Sequence, residues 1–378
     1  METIHIINKN FLDTSEYKLT IGGIQTYICT LLNLIKKKEK QAIVYQFSDH
    51  DFKRDYLGFT VIGVNVNVEK NFRKKKKLLY KKCMSKFNTY SDTLLFADDA
   101  MIVKNNVQRS LAIQHGITWD VAQENKTNDF LNKVYIFKKA IKSFRRISKI
   151  HQVRKLVCVD YNFVNWYRTQ VAHSNIPLVV IPNSTPSNMS GSLSEWKDED
   201  DTIKIIFARR FVKIRGTEIF ASSIEKILKK YKNVKVTIAG EGPEEKHFKK
   251  MFSDNQNVNI TKYNSSESIE IHCKHDIAVI PTIGSEGTSF SLLEAMASKC
   301  AVIATNVGGI TNILIDNYNG LLINPSEEEL SEAIENLIEN KELREKLAIK
   351  AHDTVTKAFS RELWEEKWSK VFEDIAKK

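Results

Sequence analysis

The feature that most constrains this chain is an alternation of short β-rich runs with helix-period stretches, carried through twice. In the first half the runs are Thr3–Ile7, Ala42–Phe47, Thr60–Val64, Thr93–Phe96, Leu111–Gln114, Leu156–Val159 and Leu178–Ile181, with helical stretches at 24–40 and 126–150. The second half repeats the pattern at Ile203–Phe207, Val234–Ala239, Val258–Ile260, Asp276–Pro281, Ala301–Thr305 and Leu321–Ile323. Strands separated by amphipathic helices predict parallel α/β sheets. Two series in 378 residues, at ~150–200 residues per domain, predict two doubly wound domains. No period of 20–50 residues argues for a solenoid.

The seam between the series is legible. After Ile181-Pro182-Asn183 the chain enters Ser184–Ser194, rich in Ser, Asn and Pro, and then the acidic Glu195–Asp201. The predicted division is a first domain over 1–183, a linker over 184–201 and a second domain over 202–358. Ligands of doubly wound sheets sit beyond the carboxyl ends of the strands. Two facing domains would then place a site in the cleft between them. Near the end, Leu363, Trp364, Trp368, Val371 and Phe372 give Phe359–Ile375 an amphipathic period that fits a packed anchor.

Charge separates the halves. Residues 1–190 hold 30 basic and 15 acidic side chains, a net +15, whereas residues 191–378 hold 27 and 31, a net −4. The densest basic run is Arg73–Lys77 with Lys81 and Lys82, interleaved with Phe72, Leu78, Leu79 and Tyr80. It reads either as a solvated face or as a dock for an anionic leaflet, to which Lys138, Lys139, Lys142, Arg145, Arg146 and Lys149 would add. No nucleic-acid recognition motif accompanies the charge, so nucleic acid is not expected as a partner. Cys29, Cys83, Cys158, Cys273 and Cys300 are scattered and odd in number, without C-x-x-C spacing. That predicts a reducing compartment rather than a disulfide or zinc framework. The start Met1-Glu2-Thr3 has no signal-like pattern and no run approaches ~18 apolar residues, so the expected location is cytoplasmic.

The segment 278–310 carries the chemistry. An apolar strand at Ile277–Ile280 leads into the loop Pro281–Gly287 and then into helical spacing over Ser289–Lys299. Gly284 and Gly287 permit close backbone approach, and a helix start offers free N–H groups at a positive dipole end. The combination suits a diphosphate. Glu286 and Glu294 are eight residues apart, too far for one helical face, and read as hydroxyl-recognising carboxylates flanking that anion rather than as an acid/base pair. His272, Cys273 and His275 lack a spaced fourth ligand, and Asp98-Asp99 reads as a strand-end turn, so no metal site is predicted.

The run Glu286-Gly-Thr-Ser-Phe-Ser-Leu-Leu-Glu294 resembles the E-x7-E motif of retaining glycosyltransferases of the GT-B fold, and in particular glycosyltransferase family 4. The likeness continues in order through Ala301–Thr305, Gly308-Gly309, Asn319-Gly320 and Asn324-Pro325. Upstream, Ala239-Gly-Glu-Gly-Pro243 resembles the family's strand-end turn, and Phe207–Gly216 resembles its G-R-x-x-x-x-K-G segment. The first half resembles it more thinly, at Gly22-Gly23, His115-Gly116 and Ile181–Asn183.

The resemblance implies that Arg210 and Arg215 neutralise a donor diphosphate, that Glu294 accepts ribose hydroxyls, and that Glu286 accepts hydroxyls of the transferred sugar. It implies backbone contacts to the donor from Gly22, Gly23, Gly240, Gly287, Thr288, Ser289 and Phe290, and a sugar contact from His115. Two departures stand out: Arg209 occupies the usual glycine, and Arg215 the usual lysine. A third is Glu286-Gly-Thr-Ser in place of E-G-F-G, which points to a different sugar pocket. The implied reaction is retaining transfer of a hexose-type sugar from a UDP- or GDP-sugar to a saccharide or polyprenyl-linked acceptor, without cofactor or catalytic metal. The implied setting is bacterial surface polysaccharide assembly, at or near the cytoplasmic face of the membrane. In similar proteins the last helix, here 359–378, returns to the first domain. An epimerase on the same fold, or a sugar-nucleotide-binding partner without activity, would share these residues.

Overall fold

The computed structural model describes residues 2–20, 22–67, 69, 71–117, 129–171, 176–185, 201–284 and 286–377. They fall into two units. The first takes the described residues of 1–115, 125–181 and 365–378; the second takes those of 116–124 and 182–364. Most of the predicted linker, residues 186–200, lies outside the described residues.

The first unit contains β1 (Thr3–Ile7), α1 (Gly23–Lys37), β2 (Gln41–Ser48), β3 (Phe52–Tyr56), β4 (Phe59–Asn65), α2 (Phe72–Met84), β5 (Thr93–Phe96), β6 (Ser110–Gln114), α3 (Asp129–Ile150), β7 (Lys155–Cys158), α4 (Tyr161–Gln170) and β8 (Leu178–Val180). Its sheet runs β3-β4-β2-β1-β5-β6-β7-β8. Seven strands are parallel; β3 alone is antiparallel, against β4. Leu57 and Gly58, at φ of 56° and 85°, make the two-residue loop between them, the backbone of a mirror-image turn that matches strand twist. The central strands are covered on both faces, so Thr93–Phe96 is buried at every residue and reads as a continuous apolar run.

The second unit contains β9 (Ile203–Ala208), α5 (Thr217–Lys230), β10 (Val234–Ala239), α6 (Glu245–Phe252), β11 (Val258–Thr261), α7 (Ser268–Cys273), β12 (Ile277–Ile280), α8 (Phe290–Ala297), β13 (Ala301–Thr305), β14 (Leu321–Ile323), α9 (Glu327–Glu339) and α10 (Lys341–Ala358). Its sheet runs β11-β10-β9-β12-β13-β14, all parallel. On one side pack Phe207, Phe211, Phe220 and Phe248, with ring centroids of Phe207 and Phe220 4.7 Å apart. The other side is closed by Leu292, Leu293 and Met296 of α8 with Ile310. The last helix, α11 (Arg361–Ala376), belongs to the first unit from Glu365 onward. There the fully buried Trp368 donates from Nε1 to the Tyr27 hydroxyl at 2.8 Å.

Both sheets reverse their strand order once, between β1 and β5 in the first and between β9 and β12 in the second. At such a point the loops leaving neighbouring strands diverge and open a crevice beyond their carboxyl ends. The basic run at 73–77 lies in α2, and one of its cations is not solvated. Lys76 is buried and donates to the carbonyls of Ala100 at 2.6 Å and Ile102 at 2.9 Å, its long stem covered by the helix–sheet interface. Burial lowers its pKa to about 8.

Candidate functional site

At the reversal in the second sheet, the loop after β9 meets the loop after β12. Arg209, the first residue past β9, turns its guanidinium inward. Its Nη1 donates to Thr282 Oγ1 and its Nη2 to Glu286 Oε2 at 3.1 Å. Arg215 donates from Nη1 to the same Glu286 oxygen, and Thr282 Oγ1 donates to it at 3.2 Å. Arg209 and Glu286 are both buried. Charge-assisted bonds of this kind are short and strong, and a buried carboxylate needs them to stay ionised. Arg209 Nε is buried without a hydrogen-bond partner among the described residues.

Backbone geometry holds these loops in place. Gly216 sits at φ 75°, where a side chain is strained, and a Cβ there would run into the carbonyl oxygen of Pro281. Gly240, at φ 146°, lets the turn after β10 press on the carbonyl of Arg209. The Gly309 amide donates to Glu286 O at 2.8 Å, fixing the carboxylate loop from the other side. Asn183 donates from Nδ2 to Thr288 O at 2.5 Å. Ser289 then caps α8, its hydroxyl accepting from the Leu292 amide at 3.4 Å. Phe290 opens the helix, and Glu294 lies one turn further on.

The electrostatics differ between the two glutamates. Burial raises the Glu294 pKa to about 7, against the pull of a Ser268 hydrogen bond and the Arg209 charge. Burial also lowers Arg209 to about 10, opposed by Tyr263 and Glu294. Arg215 falls to about 9, first through burial and then through repulsion from Arg209 and Arg210. Arg210 is exposed, and no ion pair to it occurs among the described residues. A crevice with three guanidiniums, one of them without a carboxylate partner, is poised for an anion.

The structure thus brings together Arg210, Arg215, Glu286, Gly240, Gly287, Thr288, Ser289, Phe290 and Glu294 in the second unit. Gly22, Gly23 and His115 lie in the first. Gly22 precedes α1, where a Cβ would meet Gln25 Oε1. His115 directly follows β6 and pairs through Nε2 with Ala97 O at 2.8 Å, and the ring of Tyr27 stands edge-on to it. Burial lowers its pKa, partly countered by Asp98. Asp98 and Asp99 form a strand-end 3-10 turn, with Arg146 donating to both Asp99 oxygens at 2.7 and 2.6 Å. Burial and the adjacent Asp98 raise the Asp99 pKa.

Sequence reasoning treated Arg209 only as a departure and missed Thr282. A charged residue directly after the buried apolar run Ile205–Ala208 was the available signal, because such a residue must find a buried partner. His272 and His275 are helix-end residues bonded to Ser268 O and Ile271 O. Among the described residues no group of three His, Cys, Asp or Glu is placed to hold a metal ion, and no helix is long and apolar enough to cross a membrane.

Residues 193–354 match the family described as Glycosyl transferases group 1. Over nearly full length the chain is 23% identical to an uncharacterized glycosyltransferase of Methanocaldococcus jannaschii, covering 94% of this chain and 95% of that one. A poly(ribitol-phosphate) alpha-N-acetylglucosaminyltransferase of Staphylococcus aureus is 30% identical over 169 residues, 43% of this chain and 34% of that protein. Among solved structures, a mutant of TarM from S. aureus, in complex with Fondaparinux, alpha-GlcNAc-glycerol and UDP, superposes with a TM-score of 0.74. That match has 14% identity and covers 98% of this chain and 100% of that one. The two open sheets are those of the GT-B fold, residues 193–354 match a group 1 glycosyl transferase domain, and the likeness to glycosyltransferases marks the chain as a transferase enzyme.

Proposed function

We propose that the chain transfers a hexose-type sugar, with retention of anomeric configuration, from a nucleoside diphosphate donor to a saccharide or lipid-linked acceptor. The observation that carries this reading is the guanidinium crevice at the reversal of the second sheet. Arg210 and Arg215 supply positive charge where a diphosphate leaving group gains negative charge, and fixed donors that strengthen as charge develops lower the barrier. The amides at the start of α8 add a second anion contact. Glu294, once ionised, accepts the two ribose hydroxyls.

Glu286 Oε2 is already engaged by Arg209, Arg215 and Thr282. Oε1 is therefore the oxygen offered to the sugar. Among the described residues no side chain near the crevice is arranged as a nucleophile with its own base, which favours front-face substitution, the leaving phosphate taking the acceptor proton. The arginines make a metal dispensable, so chelators leave turnover unchanged. UDP is the preferred nucleotide on the strength of the complex described above, with GDP as the alternative. Bacterial surface polysaccharide assembly at the inner face of the membrane is the setting the basic first half favours.

A melting screen against UDP, GDP and their sugars, without added metal, tests the donor. A ligand at 100 times its Kd stabilises by about 2.7 kcal/mol, a visible shift. Stabilisation by none of them contradicts the reading. Product analysis without acceptor separates a transferase from an epimerase.

A further inference from the structure

The first unit holds a cavity of about 450 Å³ between α2 and α3, lined by Phe72, Ala100, Ile141 and the stems of Lys138, Arg145 and Lys149. Its size suits a small ligand. Its walls are apolar and its rim is cationic. Among the described residues Lys138, Arg145 and Lys149 make no ion pair, so their charge is available to an outside anion. Apolar surface also continues out of the cavity. Phe137 and Phe144 flank Ile141 on one face of α3, at spacings of four and three residues, and are 68% and 72% exposed. Exposed aromatic rings beside unpaired cations are the pattern of a surface that meets a hydrocarbon and an anion together.

The cavity is also tied to the reversal of the first sheet. Arg146 lines it and pairs with Asp99, and its Nη2 lies 3.5 Å from Asp98 Oδ1, beside His115. A molecule seated in the cavity therefore ends near the residue implied to touch the transferred sugar.

We infer that this cavity takes the phosphate-bearing end of a lipid-linked acceptor, with the phosphate on Lys138, Arg145 and Lys149 and the first part of the chain on Phe72 and Ile141. The inference rests on the acceptor half of the proposed function and names its site. Charge complementarity and the apolar wall select one occupant: an anion carried on a hydrocarbon chain.

Calorimetric titration of the full chain with farnesyl phosphate below its micelle concentration tests it, with farnesol and inorganic phosphate as half-probes. The expected result is binding at least tenfold tighter than either half-probe. Ile141→Glu and Lys149→Glu should each weaken it tenfold or more. UDP binding in the same variants should be unchanged, which reports an intact fold. Equal binding of farnesol overturns the inference, and so does wild-type affinity in both variants. Binding only to phosphatidylglycerol vesicles, with none to the monomeric probe, replaces the cavity by a surface and also overturns it. Failure of UDP to bind, with farnesyl phosphate bound as expected, contradicts the donor reading and leaves the cavity supported.

Discussion

The two sheet reversals solve the same topological problem with opposite electrostatics. In the second unit two guanidiniums, Arg209 and Arg215, converge on one engaged carboxylate, Glu286, while burial raises the pKa of a second, Glu294, to about 7. In the first unit two carboxylates share a single guanidinium, Arg146, beside His115, whose pKa burial lowers. One crevice carries surplus positive charge and the other does not. A doubly wound fold provides a crevice at each reversal, but side chains decide what enters it.

Breaking the engaged carboxylate should produce the largest effect. Glu286→Ala leaves Arg209 charged, buried and without its main partner, and should cost about 3–5 kcal/mol of stability in urea unfolding. A loss below 1 kcal/mol would mean that the clasp is not what holds the two loops together. Next comes Arg210→Ala. With the fold intact, turnover should fall roughly 10²–10³-fold, the loss of one preorganised donor.

Glu294 sharpens the comparison through pH. Its folded pKa of about 7 lies above the usual carboxyl value, so the folded state holds a proton that the unfolded state releases. Stability from this group is present below pH ~4.5 and is lost as pH rises towards 7. Glu294→Gln should remove that loss, changing the pH 5-to-7 difference by roughly 1–3 kcal/mol. An unchanged slope would contradict the assignment. The smallest effect belongs to the first unit. Asp99→Asn keeps a polar partner for Arg146, which also retains Asp98 at 3.5 Å, and should cost about 1 kcal/mol at pH 7 in the same unfolding assay.

Much of this was legible in the sequence where a signal is local. The stretch Ser289–Lys299 is α8 with Ser289 as its cap, and 24–40 is α1, ending at Lys37. β3 was missed because only Phe52 of Phe52–Tyr56 is fully buried, and the strand is held by an edge pairing and a two-residue turn. α2 was read only as a charged run, since a lysine whose ammonium finds two buried carbonyls looks like a solvated one. The Arg209–Glu286 pair joins residues 77 positions apart, and no spacing rule reports that. The departure from glycine at 209 was visible; the carboxylate it serves was not.

Hydrogen exchange of the full chain with and without saturating UDP tests the central claim most directly. The account predicts added protection in the loops 209–216 and 281–289 and at the start of α8. Protection confined to segments of the first unit, with the second unit's loops unchanged, would contradict it.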